Sequence, residues 1–282
     1  MKLIRWGNPG KELPGALLPD GRMVNLSNFV PNEDAALLHP AKLAELEALI
    51  ANGLPAGADV LPADTRLGPA VLRPGKIVCI GLNYHGHARE MNSPIPSEPV
   101  IFLKATSALS GPFDDLVLPP GSKQSDWEVE LAIVIGTKAT RVSKEDALNY
   151  VAGYTIMNDF SERHFQKERG GQWTKGKSCD TFAPLGPCLV TPAELGDPQK
   201  LDLWLKVNGN IMQQGSSADQ IFDVATVVSY VSHFMSLHPG DIISTGTPAG
   251  VGAGHTPPVF LRSGDVVEYG ISGIGSVKQR VV

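Results

Sequence analysis

The sequence has few of the features that mark membrane, secreted or metal-clustering proteins. None of its apolar runs approaches the roughly 18 residues that a membrane-spanning helix needs. The first residues, MKLIRWGNPG, carry charge but lack the apolar stretch of a secretory signal. The only cysteines are Cys79, Cys179 and Cys188, and their spacing fits neither a disulfide framework nor a zinc site. These absences predict a cytoplasmic protein.

Charge and glycine spacing argue against two further classes. The chain has 24 Lys and Arg against 29 Asp and Glu, and the net charge of −5 disfavours a general nucleic-acid binder. The glycine-rich segment STGTPAGVGAG lacks both the P-loop lysine and the spacing of a dinucleotide-binding fingerprint. The sequence therefore disfavours nucleotide binding as well.

What the chain does contain predicts a mixed α+β fold that is rich in strands. Hydrophobic residues make up 42% of it, and its 30 glycines and 23 prolines favour short strands and tight turns. Asn208–Gly209 lies between two alternating runs and predicts a hairpin. Residues 223–237 have helical spacing. We expect these apolar side chains of that helix to pack on a sheet: Val224, Val227, Val228, Val231, Phe234 and Met235.

The chain divides by composition into two parts. Residues 41–53 have the spacing of a short helix, and the Pro-, Gly- and Ala-rich residues 55–75 predict a connector. We therefore expect a small N-terminal α/β domain over residues 1–70 and a β-rich main domain over residues 71–282.

Two acidic residues share one face of a predicted central strand. Glu128 and Glu130 lie two apart in DWEVELAIVIG, so their side chains point the same way if this segment is a strand. Burial of two unpaired carboxylates is costly, and a hard divalent cation between them would offset that cost. The alternative is a solvated strand end with two acids that bind nothing.

Asp159 could complete such a site. It lies where the apolar stretch YTIMNDF ends, and a third carboxylate would make a set of oxygen ligands that suits Mg²⁺, Mn²⁺ or Ca²⁺. The alternative is a helix N-cap, a position at which Asp is common.

His87 and Glu90 in GLNYHGHAREM are candidates for acid–base chemistry. They lie three residues apart and share a face if this segment closes into a helical turn. A carboxylate beside an imidazole fixes its tautomer and raises its basicity, as a general base for water requires. The alternative is a loop histidine beside a surface glutamate.

Several polar residues could bind an oxyanion or a carboxylate, and each could instead be an ordinary surface side chain. Lys104 ends the apolar run VIFLK, where a charge is unusual. Thr247 lies in a Gly–Thr–Pro turn whose backbone N–H groups could face an anion. The others are Arg163, Gln166 and Lys177.

These residues lie in ordered motifs that resemble the fumarylacetoacetate hydrolase family. The motifs run from about residue 76 to the C-terminus: IVCIGLNY followed by His87 and Glu90, IFLK, WEVELAIVIG, YTIMNDFSER, KGKSCDTFAPLGP, WLKVNG, DIISTGTPAGVG and GDVVE. The additional N-terminal part resembles that of longer bacterial members.

The resemblance implies a catalytic domain with a mixed, β-roll-like fold that is usually assembled as a homodimer. It also implies a divalent metal ion, commonly Mg²⁺ or Mn²⁺, held by Glu128, Glu130 and Asp159. The three carboxylates would also accept Ca²⁺.

The resemblance further implies roles for the polar residues around the metal. His87 and Glu90 match the family's water-activating pair, and Lys177 matches a lysine that reaches the substrate or its oxyanion. The expected substrate-binding residues are Lys104, Arg163, Gln166 and Thr247.

The predicted reaction is hydrolysis of a 2,4-diketo acid of the acylpyruvate type. Water attacks the C4 carbonyl, and the C3–C4 bond breaks to release pyruvate and a second carboxylic acid. A 2,4-diketo-3-deoxy sugar acid is the preferred substrate. The same site would permit ureidoglycolate cleavage, oxaloacetate decarboxylation, or hydration or isomerisation of 2-oxo-enoic acids. The alternatives from other classes are a protein that binds an α-keto acid without turnover and a purely structural metal.

Overall fold

The computed structural model describes residues 1–51, 53–54 and 57–282, and its strands form three sheets in those residues. The strands are β1 (Lys2–Trp6), β2 (Leu13–Leu17), β3 (Met23–Asn25), β4 (Ile77–Gly81), β5 (Val100–Lys104), β6 (Leu109–Ser110), β7 (Ser125–Asp126), β8 (Val129–Ile135), β9 (Val151–Asn158), β10 (Ser161–Glu162), β11 (Ala183–Val190), β12 (Asp202–Val207), β13 (Asn210–Ser216), β14 (Ile242–Ser244), β15 (Val266–Ile271) and β16 (Gly275–Arg280). The helices are α1 (Asp34–Leu37), α2 (Pro40–Ala51), α3 (His85–Glu90), α4 (Thr174–Lys177), α5 (Pro192–Leu195) and α6 (Val224–Phe234). The mixed, strand-rich α+β fold predicted from the sequence is confirmed.

The largest sheet has the strand order β3-β2-β1-β11-β9-β8-β14-β4-β5, with β6 paired to β11. Strand β8 lies inside this sheet, antiparallel to both β9 and β14. All seven residues of β8 are buried, because its apolar side chains are covered on both faces of the sheet. A charged residue at the start of this strand is therefore removed from water, as the sequence reasoning for Glu128 and Glu130 requires.

A second sheet contains the predicted hairpin. Its order is β13-β12-β15-β16, and Asn208–Gly209 joins β12 to β13. Both turn residues have positive φ, 51° for Asn208 and 80° for Gly209, as a type I′ turn requires. The hairpin prediction is therefore confirmed. A third, two-stranded sheet pairs β7 with β10.

Helix α6 forms where the apolar spacing predicts it. Asp223 caps the helix by accepting a hydrogen bond from Thr226 N at 2.7 Å. The four expected valines are buried, but Phe234 is 64% exposed, and its expected burial is wrong. The helix ends at Phe234. The Phe234 ring packs on the Tyr230 ring at the surface, with 4.9 Å between the ring centroids. In the part of the chain that the structure describes, no helix has the length and apolar character to cross a membrane.

The N-terminal strands extend the largest sheet. β1 pairs antiparallel with β11, which places Lys2 opposite Val190. The predicted connector starts at Pro55 and Ala56, which lie outside the described residues, and 57–75 contains no helix or strand beyond isolated bridges. The division at residue 70 stays a prediction.

A buried ion pair ties the N-terminal strands to the rest of the chain. Arg5 is 1% exposed, and its guanidinium contacts Asp34 Oδ1 at 2.5 Å and Asn32 Oδ1 at 2.8 Å. The other oxygen of Asp34 accepts hydrogen bonds from the backbone N–H groups of Leu72 and Arg73. The substitution Asp34→Ala would leave the guanidinium buried without its charged partner, and we expect it to lower the free energy of unfolding by about 3–5 kcal/mol. Urea denaturation monitored by circular dichroism measures this loss.

Asp20→Ala is the control for that experiment. Asp20 pairs with Arg22 at 2.7 Å, but both side chains are more than half exposed to water. An exposed pair contributes little to stability, so the urea midpoint should stay unchanged. Equal losses in the two variants would contradict the structural importance given to the buried pair.

Candidate active site

Three carboxylates meet where β8 begins and β9 ends. Glu128 directly precedes β8, Glu130 is its second residue, and Asp159 directly follows β9. Because the two strands are antiparallel, the start of one lies beside the end of the other, and Asn158 Oδ1 accepts a hydrogen bond from Glu128 N at 2.9 Å. One oxygen from each carboxylate lies within 4.8 Å of the other two, and all three side chains are buried. The structure thus brings together the three residues singled out as metal ligands.

Glu130 lies in the least compensated environment of the three. Its Oε2 accepts hydrogen bonds from Ser244 Oγ at 2.5 Å and from Gly246 N at 2.9 Å. No ion pair involves Glu130 among the described residues. Burial, together with the charges of Asp159 and Glu128, raises the pKa of Glu130 well above its usual value. A cation at this position would relieve that cost.

Lys177 links the other two carboxylates. Its Nζ lies 2.7 Å from Glu128 Oε2 and 2.7 Å from Asp159 Oδ2. Burial alone would lower the pKa of Lys177, but Asp159 and Glu128 outweigh burial and raise it. Burial alone would likewise raise the pKa of Glu128, but the charges of Lys177 and Arg163 outweigh it and lower the pKa below its usual range. Lys177 and Glu128 are therefore charged at neutral pH.

The donor set fits a hard divalent cation. Carboxylate oxygens are the ligands that Mg²⁺, Mn²⁺ and Ca²⁺ prefer. Glu130 is a buried carboxylate that forms no ion pair with a described side chain. The described cysteines and histidines do not join this cluster, so the chemistry of the set is that of an oxygen site.

Lys104 lies behind the carboxylates rather than beside the cavity described below. Its side chain is fully buried, and Nζ donates to Asp159 Oδ1 at 2.5 Å and to Phe160 O at 3.0 Å. The cavity lining does not include Lys104. The structure therefore gives this residue contacts that orient Asp159, and the substrate contact expected from the sequence stays a prediction.

Arg163 lies on the other side of Glu128. It precedes a π-helical turn, His164–Glu168, that follows β10. Its Nη2 lies 2.7 Å from Glu128 Oε1, and Nη1 donates to Gln166 Oε1 at 3.1 Å. Arg163 and Gln166 are three residues apart, and the helical turn brings their side chains together.

Helix α3 brings His87 and Glu90 together. Its single turn places His87 Nδ1 3.1 Å from Glu90 Oε2. The other oxygen of Glu90 accepts a hydrogen bond from Gly250 N at 2.9 Å. The loop lies so close that a Cβ at Gly254 would be 2.3 Å from Glu90 Cδ, so any larger residue there would displace the Glu90 side chain. His87 is 7% exposed and lines the cavity described below.

These groups surround a small cavity of about 140 Å³. Its polar lining contains the residues already described together with Lys167 at the rim: His87, Glu128, Glu130, Arg163, Gln166, Lys167 and Lys177. Its apolar lining includes Phe102 and Trp173, whose rings meet edge to face with 5.3 Å between centroids. A cavity of this size and polarity suits a small acid.

Thr247 lines the cavity, but its hydroxyl is engaged by the protein. Its Oγ1 donates to Val129 O at 2.9 Å and accepts from Gln213 Nε2 at 2.7 Å. A contact from this hydroxyl to a substrate would have to use its remaining lone pair.

Sequence reasoning missed several residues of the site. Asp126 is fully buried against Arg163, and Phe102, Trp173 and Lys167 line the cavity. Asp126 carried a usable signal, because it lies two residues before Glu128 and continues the same alternation. The lining by Trp173 and Lys167 comes from tertiary packing, and nothing in their local sequence indicates it.

Comparison with known proteins identifies the class. Residues 76–282 match the family model described as "Fumarylacetoacetate (FAA) hydrolase C-terminal". The chain therefore belongs to the fumarylacetoacetate hydrolase family, and the resemblance seen in its motifs is confirmed.

Three proteins that this chain resembles carry the names of different activities. A 2,4-didehydro-3-deoxy-L-rhamnonate hydrolase from Sphingomonas sp. (strain SKA58) is 49% identical over 282 residues, which cover 100% of this chain and 96% of that protein. The structure of maleylpyruvate hydrolase from Sphingobium sp. SYK-6 in complex with manganese(II) and pyruvate is 30% identical, covers 100% of this chain and 99% of its own, and has a TM-score of 0.82. The structure of 5-carboxymethyl-2-hydroxymuconate delta-isomerase from Mycobacterium smegmatis is 34% identical and has a TM-score of 0.79. The match covers 100% of this chain and 98% of the isomerase chain.

Proposed function

We propose that the protein is a divalent-metal-dependent hydrolase that cleaves the C3–C4 bond of a 2,4-diketo acid to pyruvate and a second carboxylic acid. One observation carries this proposal. Two of the three clustered carboxylates, Glu128 and Glu130, line the same cavity as His87, so a site for a hard cation adjoins a candidate general base. The named activities of the two hydrolase relatives support it.

The metal would be held by Glu128, Glu130 and Asp159. When bound, a divalent cation supplies a Lewis acid that polarises the substrate's oxygens and stabilises developing negative charge. The manganese(II) complex of the maleylpyruvate hydrolase supports a divalent ion without deciding between Mg²⁺ and Mn²⁺. Lys104 is a positioning residue in this scheme, because it contacts Asp159 and no part of the cavity.

Arg163 and Gln166 would bind the carboxylate of the substrate. The guanidinium is a planar donor that suits a carboxylate, and its ion pairs with the protein hold it in place at the cavity wall. Thr247 stays a weaker candidate for substrate binding, since two of its hydrogen bonds are made within the protein.

His87 would activate the water. Glu90 faces Nδ1, so the pair favours the tautomer with hydrogen on Nδ1 and leaves Nε2 as the base. Nε2 removes a proton from water as the water oxygen attacks the C4 carbonyl. The Glu90 carboxylate stabilises the imidazolium that results.

Lys177 would then stabilise the oxyanion formed at C4. Two of its three N–H groups face Glu128 and Asp159, which leaves the third for the substrate. Collapse of the tetrahedral species breaks the C3–C4 bond, and the electron pair leaves with C3 as the enolate of pyruvate. The imidazolium of His87 returns its proton to C3, which yields pyruvate, and C4 becomes the carboxyl group of the second product.

The proposed substrate class is a 2,4-diketo-3-deoxy sugar acid. The 49% identical rhamnonate relative, which this chain matches over its full length, supports that choice. Cleavage of 2,4-didehydro-3-deoxy-L-rhamnonate between C3 and C4 would give pyruvate and lactate, since C4 to C6 carry the acyl carbon, a hydroxyl and a methyl group. The expected homodimer stays a prediction.

Pyruvate release tests the proposal. Purified protein is incubated with a simple acylpyruvate, and with 2,4-didehydro-3-deoxy-L-rhamnonate, in Mg²⁺, in Mn²⁺ and after treatment with EDTA. We expect equimolar pyruvate and acid that depend on added metal, because the carboxylates alone supply no electrophile. The absence of pyruvate from both compounds in either metal would contradict the proposed reaction.

A second candidate is isomerisation of a 2-oxo-enoic acid, which the 34% identical isomerase supports. Isomerisation moves a proton and consumes no water, so it changes the ultraviolet spectrum of the substrate without releasing pyruvate. Oxaloacetate decarboxylation and ureidoglycolate cleavage are measured in the same preparation, and activity on either alone would replace the hydrolase proposal.

A further inference from the structure

Asp126 is a buried carboxylate with four donors around it. It is 0% exposed and lies at the end of β7, two residues before Glu128. Its Oδ2 accepts a hydrogen bond from Arg163 Nε at 2.8 Å, and Arg163 Nη2 lies at the same distance. Three backbone N–H groups also donate to it, from Trp127, Gly252 and Ala253. Asp126 itself does not line the cavity.

The first of these contacts orients a group proposed to bind substrate. Arg163 reaches the cavity with Asp126 on one side and Glu128 on the other. Nε and Nη2 both face Asp126 Oδ2, and Nη2 also lies 2.7 Å from Glu128 Oε1, so the two carboxylates together restrict how the planar guanidinium can turn. Loss of the Asp126 charge would leave Arg163 paired with Glu128 alone.

The remaining contacts anchor the loop that holds Glu90. Gly252 N and Ala253 N donate to Asp126 at 2.6 and 3.0 Å. Two residues earlier in the same loop, Gly250 N donates to Glu90 Oε1. The loop is packed so tightly that a Cβ at Gly252 would lie 2.7 Å from Asp126 Oδ1. A displacement of the loop at one end would therefore move the donor at the other.

We infer that Asp126 is a positioning residue that couples the two halves of the site: it orients Arg163 for substrate binding and, through the loop 250–254, orients Glu90 and with it His87. This inference rests on the proposed function, because it takes the roles of Arg163 and the His–Glu pair from there. It assigns to one buried carboxylate an effect on both substrate affinity and turnover.

The test is Asp126→Asn, with Glu162→Gln as the matched control. D126N removes the charge that pairs with Arg163 and turns one acceptor into an NH₂ group. That group would face either Arg163 Nε and Ala253 N or Trp127 N and Gly252 N, so the ion pair and the loop contacts are both disturbed. Glu162 is also 0% exposed, but its carboxylate accepts from Ser122, Ser125, Gln124 N and His164 N and has no hydrogen bond to the Arg163 side chain or to the loop.

We expect D126N to raise KM and lower kcat, with a combined loss of about 10²-fold in kcat/KM, the size of effect that a misplacement of about 1 Å causes. E162Q should lower Tm comparably and leave both constants within about twofold. A D126N enzyme whose kinetics match those of E162Q would overturn the inference.

A double variant separates the two effects. Asp126→Asn combined with Glu90→Gln should have the kcat of E90Q alone, because Asp126 affects turnover only through Glu90. The KM effect should persist in the double variant, since it acts through Arg163. Multiplicative losses in kcat would overturn the coupling through the loop.

Ala253→Pro serves if D126N does not fold. It removes one N–H donor to Asp126 and keeps the contact with Arg163, so kcat should fall while KM stays unchanged. An unchanged kcat in folded A253P would overturn the coupling.

Failure of the proposed function is a separate outcome. If the wild-type protein turns over no diketo acid, that function is wrong, and the orientation of Arg163 is measured by calorimetric titration with oxalate in the presence of Mg²⁺. D126N should then weaken oxalate binding about tenfold or more and E162Q should not, whereas equal affinities would overturn the inference.

Discussion

Replacement of His87 by alanine is expected to lower the kcat of hydrolysis by about 10²–10⁴-fold, the usual contribution of a general base. The loss should fall on kcat and leave KM nearly unchanged, because the substitution leaves the proposed carboxylate-binding residues Arg163 and Gln166 in place. Glu90→Gln should lose less than H87A, since the amide can still contact Nδ1 but cannot stabilise a charged imidazolium. Initial rates of pyruvate release measure all of these changes.

His85→Ala is the control for this prediction. His85 lies on the same helix but is exposed to solvent and does not line the cavity. Its removal should leave kcat and KM unchanged. An H87A variant with full turnover would show that the rate-limiting chemistry needs no activated water, and it would favour decarboxylation or another reaction without water attack.

Local periodicity was sufficient to predict two juxtapositions in the candidate site, that of Glu128 with Glu130 and that of His87 with Glu90. Glu128 and Glu130 share a face because strand side chains alternate, and the apolar residues after them indicated that the strand is buried. His87 and Glu90 share a face because they are three apart on a helical turn. In both cases the contact involves neighbours within a few residues, so the sequence alone carries the geometry.

The rest of the site depends on contacts between distant parts of the chain. Asp126 meets Arg163 across 37 residues and Gly252 across 126, and no spacing rule predicts either contact. Lys104 shows the limit from the other direction. Its position at the end of an apolar strand indicated that the buried charge needs a partner. That partner is Asp159, 55 residues away, which local spacing does not identify.

The same limit applies to the fold. The hairpin at Asn208–Gly209 and helix α6 follow from local signals, whereas the pairing of β1 with β11 joins strands that are far apart in the chain. That pairing adds the N-terminal strands to the sheet that carries the carboxylates, although composition alone suggested a separate unit.

Glu130→Gln is expected to abolish metal-dependent turnover without destabilising the metal-free protein. Lewis-acid stabilisation contributes several kcal/mol, so its loss should lower kcat by at least about 10²–10³-fold. The carbonyl oxygen of the introduced glutamine can still accept from Ser244 and Gly246, and its NH₂ group would face the carboxylates of Asp159 and Glu128. The substitution replaces a buried carboxylate, which Asp159 and Glu128 repel, by an amide that can donate hydrogen bonds to them. The Tm of the metal-free protein should therefore stay unchanged or rise.

The metal itself provides the decisive measurement. Saturating Mn²⁺ at about 100 times its Kd should stabilise the wild-type protein by about 2.7 kcal/mol, since the ion binds the folded state alone. E130Q should lose this rise in Tm, whereas Glu162→Gln, which removes a buried carboxylate outside the ligand set, should keep it. An E130Q protein that retains the full Mn²⁺ shift would exclude Glu130 as a ligand. A steep fall in its metal-free Tm would instead mean that the Glu130 charge stabilises the fold, and the three carboxylates would then have to be interpreted as a structural cluster stabilised by Lys177 and Lys104.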